Sequence, residues 1–76
     1  MKHEVNWLAV SQKINEQMKD LHMSREEVAE AAEVSPITVR RIQSGWPAQL
    51  DSLLSVGDVL NMTPDYMLGY LDGEAD

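Results

Sequence analysis

The side chains best equipped for chemistry in this chain are guanidiniums. Arg40 and Arg41 stand side by side in the run Pro36-Ile37-Thr38-Val39-Arg40-Arg41-Ile42, and Arg25 heads an earlier run, Arg25-Glu26-Glu27-Val28-Ala29. A guanidinium offers five donors in a planar fork that fits phosphate oxygens and the O6 and N7 edge of guanine. It neither gives up nor takes a proton near neutral pH, so its chemistry is recognition. Catalysis finds little material. There is no cysteine, no glycine-rich phosphate loop, and neither His3 nor His22 has a nucleophile, carboxylate or thiol at a working spacing. The expectation is a protein that is not an enzyme and needs no metal or cofactor.

Two short helices must position these arginines. Ser24 can accept from the third residue of its helix while Glu27 reaches back to the Ser24 amide, which is a capping box. Ser35 caps the next helix, with Pro36 at the first position, where a missing N–H costs nothing. Val28 and Ala32 are i, i+4 neighbours with Ala29 beside them, and Val34, Val39 and Ile42 share an inward face. The small Ala29 lets the two axes approach. Gly45, after Ser44, stops the second helix as a left-handed cap. Two helices joined by a tight corner, the second ending in exposed arginines, are the outline of a helix-turn-helix.

The remaining segments supply a frame. Trp7, Val10, Ile14, Met18 and Leu21 recur at helical spacing and predict a first helix of about four turns, with Lys13, Glu16, Gln17 and Lys19 on its wet side. After a loop at Trp46-Pro47-Ala48-Gln49, the residues Leu50, Leu53, Leu54, Val56, Val59 and Leu60 predict a largely apolar fourth helix. Gly57 inside it implies a close crossing. Thr63-Pro64-Asp65 repeats the cap-plus-proline device and starts a last helix carrying Tyr66, Met67, Leu68, Tyr70 and Leu71. The reading is one all-α domain over residues 1–76, with a core over about 5–71 and an acidic tail at 72–76.

Seventy-six residues bury only roughly 60% of the unfolded surface, so partner help, including a homodimer, is plausible. The absence of cysteine suits a cytoplasmic setting, and neither a membrane span nor a signal peptide is legible. The net charge of −7 has the wrong sign for approaching phosphates, yet all six basic residues precede residue 42 while six of the acids follow it. With a Debye length of about 8 Å, distant acids repel weakly and contacting arginines act strongly.

With these residues in view, the chain resembles the Cro/C1-type (XRE, phage repressor-like) helix-turn-helix family over roughly residues 10–71. The resemblance rests on Ser24 to Ala29, on Val34-Ser35, on Arg41-Ile42 before Ser44-Gly45, on the Leu50 to Leu60 helix, and on Thr63 to Gly69. It implies a compact five-helix bundle, lambda repressor-like, with the second helix crossing the DNA backbone and the third lying in the major groove. Carried over residue by residue, it puts Pro36, Ile37 and Arg41 at base edges with Thr38 and Arg40 flanking, and Arg25, Ser44 and Gly45 at phosphates. Ile37 would read by apolar contact. The chain departs from the family at His22 and Glu33, where glycines are usual, and at Gln17, where leucine is. The loop after Gly45 is about one residue shorter and holds Trp46 where basic residues are common. Glu26, Glu30 and Glu33 form an acidic stripe.

The implied function is a sequence-specific DNA-binding transcriptional regulator acting on a double-stranded operator. The alternative is an acidic helix-turn-helix protein that binds another regulator protein instead of DNA. Trp46 reads first as a core plug, then as a partner anchor or a stacking group for sugar and phosphate. Tyr66, Tyr70 and Leu71, with Met67, read as closure of the bundle or as a dimer seam.

Overall fold

The computed structural model describes residues 5–68, in which five helices follow one another: α1 (Trp7–Leu21), α2 (Arg25–Ala32), α3 (Pro36–Gln43), α4 (Leu50–Val59) and α5 (Pro64–Leu68). The fold is all-α, and among the described residues there is no strand. Most starts are set by side-chain caps. Asn6 Oδ1 accepts from the Ala9 amide at 3.1 Å. Ser24 Oγ accepts from Glu27 N at 3.1 Å while Glu27 Oε1 accepts from Ser24 N at 2.8 Å, completing the capping box. Ser35 and Thr63 serve α3 and α5, each followed by proline. Only α4 begins without a side-chain cap.

The first four helices stop by one device. In each, a residue with positive φ lets its own amide and the next one bond back to carbonyls three and five residues earlier, the paired closure of a Schellman motif. The left-handed residues are His22 (φ 55°), Glu33 (φ 61°), Gly45 (φ 85°) and Asn61 (φ 61°). The longer bonds are Met23 N to Met18 O at 2.9 Å, Val34 N to Ala29 O at 3.0 Å, Trp46 N to Arg41 O at 2.9 Å and Met62 N to Gly57 O at 2.8 Å. Three of these four corners carry a side chain where glycine would sit without strain.

The core is built from Val10, Ile14 and Met18 of α1, Val28, Ala29 and Ala32 of α2, Val39 and Ile42 of α3, Leu53 and Val56 of α4, and Leu60, Met62 and Met67 beyond. Helix α3 packs against α1, α2 and α4, and α5 closes on α1 and α4. At Gly57 the close neighbour is a side chain: a Cβ there would stand 2.6 Å from Met67 Sδ and Cε, so the far end of the methionine would have to shift to admit one. No buried side-chain N or O among the described residues lacks a hydrogen-bond partner.

The frame differs from expectation at three places. Gln17, placed on the wet side of α1, is half-buried, and its Nε2 donates to the Leu60 carbonyl at 2.8 Å, satisfying the end of α4. Leu50 and Leu21 are exposed at the ends of their helices, where each apolar stripe has run past its neighbour. Trp46 is not a core plug and is 60% exposed. The reason lies in the register of the closures. Met23, Val34 and Met62 follow carbonyls of the buried residues Met18, Ala29 and Gly57 and turn inward, whereas Trp46 follows the carbonyl of exposed Arg41 and turns outward with it. No described helix is long and apolar enough to cross a membrane.

Candidate nucleic-acid interface

Helix α3 presents two opposed faces. At 3.6 residues per turn, Val39 and Ile42 point into the core while Ile37, Arg40, Arg41 and Ser44 lie together on the opposite side, all exposed. Pro36 is exposed at the first turn, and Thr38 and Gln43 are half-buried at the edges of the outward face. Ile37, Arg40, Arg41, Ser44 and Trp46 line one shallow depression. Thr38, Arg41, Pro47, Ala48, Gln49 and Ser52 line a second, so Arg41 forms the ridge between the two.

The two arginine side chains of α3 make a single hydrogen bond to the described residues. Arg41 donates from Nη2 to the Pro47 carbonyl at 3.3 Å, a contact that steers the guanidinium along the loop after α3. Arg40 has no hydrogen bond or ion pair to any described residue, and neither arginine is paired with a carboxylate among those residues. Both sit in the last turn of α3, where the helix dipole favours a cation.

Arg25, at the first position of α2, donates from Nε to Gln43 Oε1 at 2.8 Å. Gln43 in turn donates from Nε2 to Asn15 Oδ1 at 3.0 Å, and Asn15 donates from Nδ2 to the Gln43 carbonyl at 3.0 Å. Helices α1, α2 and α3 are therefore tied at one corner, and no described residue is bonded to the terminal nitrogens of Arg25. Asn15 and Gln43 were not among the sequence-predicted site residues. Their role depends on partners 18 and 28 positions apart, which no local pattern announces.

Gly45 is half-buried beside Leu8, and its amide bonds to the Ile42 carbonyl at 3.2 Å. Of the residues predicted for partner contact, Tyr66 is 47% exposed and lies on α5, with Lys13 Nζ 4.8 Å above its ring centre and donating to its carbonyl at 2.7 Å. Tyr70 and Leu71 lie outside the described residues, as does the acidic tail. The structure thus brings Ile37, Arg40, Arg41, Ser44 and Trp46 together and assigns Tyr66 to a separate surface on α1 and α5. No protein-family model, curated protein or solved structure matches the chain.

Proposed function

We propose that this chain is a sequence-specific DNA-binding regulator of the phage-repressor type, in which α2 and α3 form a helix-turn-helix and α3 enters the major groove. The observation that carries this reading is the outward face of α3, where two arginines with no carboxylate partner among the described residues stand beside the oriented Arg25. Arg41 takes a guanine edge in bidentate fashion, while Arg25 and Arg40 meet phosphates. A base contact of this kind is worth about 1–3 kcal/mol of discrimination.

Binding to mixed-sequence duplex, followed by fluorescence anisotropy across a salt series, tests the reading. Affinity falls steeply with salt, and the logarithmic slope shrinks by about one for each phosphate contact removed. Arg40→Ala flattens the slope at unchanged sequence preference, whereas Arg41→Ala removes preference between selected and random duplexes. A chain that binds no duplex even at low salt ends the proposal.

A second reading has its own observation. Glu26, Glu30 and Glu33 are all exposed, and none holds an ion pair with a described residue. Such a stripe suits the basic surface of another regulator, with Trp46 as an apolar anchor. Changing the three glutamates to lysine would then abolish co-purification with that partner, and an undiminished complex would remove this reading.

A further inference from the structure

Ile37 has the greatest fractional exposure of the large hydrophobic side chains among the described residues, at 66%. A lone exposed hydrophobe such as Leu50 needs no explanation. Ile37 differs in its company. It shares one depression with Trp46, Arg40, Arg41 and Ser44, so two apolar side chains flank two guanidiniums on a single face. The arginines supply donors in abundance, but an isoleucine can neither donate nor accept. It can only prefer another apolar group over water.

The major groove offers one such group on an unmodified base pair, the C5-methyl of thymine. A 5-methylcytosine carries its methyl at the same ring carbon. Resting on the DNA-binding reading above, we infer that Ile37 is a specificity-determining residue that receives the C5-methyl of a 5-methylpyrimidine, with Trp46 walling the same depression. Arg41 lies one helical turn further along the same face. Four residues advance the helix by about 6 Å, less than two base steps, so the methyl and the guanine read by Arg41 fall within about two base pairs of each other. The exposed isoleucine thus gives the face a term that arginines alone lack: a penalty for any base that leaves the apolar wall against water.

The probe is the duplex recovered by selection from a random-sequence pool, remade with deoxyuridine in place of each thymidine in turn. Loss of the read methyl at a single position weakens binding about fourfold, the equivalent of about 0.8 kcal/mol for one buried carbon. Ile37→Ala binds the thymine and uracil duplexes alike. Its exposed position predicts an unchanged thermal midpoint, which is checked alongside.

At the sensitive position, cytosine and 5-methylcytosine are then compared. A gain on methylation shows that the methyl itself is read, and the ranking of thymine against 5-methylcytosine tells which base is the natural source. Equal affinity for thymine and uracil at every position overturns the inference while leaving DNA binding intact. Failure to enrich any duplex at low salt overturns both.

Discussion

Arg25 and Gln43 are joined by a hydrogen bond of 2.8 Å from Nε to Oε1, linking the first residue of α2 to the last of α3. Because Gln43 is also held by Asn15 of α1, the direction of the Arg25 guanidinium is set by a side chain that is itself tied to a third helix. Gln43→Ala should lower the unfolding free energy by only about 1 kcal/mol, the net value of exposed hydrogen bonds. On the proposed function, duplex affinity should nevertheless drop several-fold. In an Arg25→Ala background the same change should leave affinity unaltered; a full, additive loss there would show that Gln43 does not act through Arg25.

Gln17 closes α4 from outside that helix through the Leu60 carbonyl. Gln17→Ala leaves a half-buried acceptor unpaired and should cost about 1–2 kcal/mol. Gln17→Glu should be worse at neutral pH, since it sets a negative charge against the negative end of the α4 dipole. Urea midpoints of the two variants give the order directly.

The corners at His22 and Glu33 place ordinary side chains in the left-handed region. An L-residue there costs about 1–2 kcal/mol, and glycine returns about 0.4–1 kcal/mol of that through a floppier unfolded chain. His22→Gly and Glu33→Gly should each raise stability by up to about 1 kcal/mol. Asn61→Gly should gain less, because asparagine tolerates this conformation. Thermal midpoints that stay level or fall in the first two would show that those side chains contribute contacts of their own.

Trp46 and Met62 occupy the same place in their respective helix closures, yet one is exposed and the other buried. Trp46→Ala should change the unfolding free energy by less than about 0.5 kcal/mol. Met62→Ala should cost at least about 2 kcal/mol. Similar losses in both would place the indole against the core after all.

Local chemistry made much of this legible from sequence. Ser24 with Glu27, Ser35 with Pro36 and Thr63 with Pro64 each fix a helix start through groups within three residues, and once α3 begins at Pro36 its periodicity alone separates Val39 and Ile42 from Ile37, Arg40 and Arg41. What escaped were contacts between distant positions. Gln17 looks like a surface residue until Leu60 is seen to need a donor, and Gln43 looks neutral until Asn15 and Arg25 meet it. Trp46 misleads for another reason: its size argues for burial, but its direction is inherited from the residue five positions earlier, and Arg41 faces out.

Helix α5 is fastened to two other helices. It is held by Met67, whose thioether lies against Gly57 of α4, and by Lys13 of α1, which donates to the Tyr66 carbonyl. It behaves as a latch on a bundle whose other four helices brace one another. Amides of α5 should accordingly exchange with solvent through an opening that leaves α1 to α4 shut.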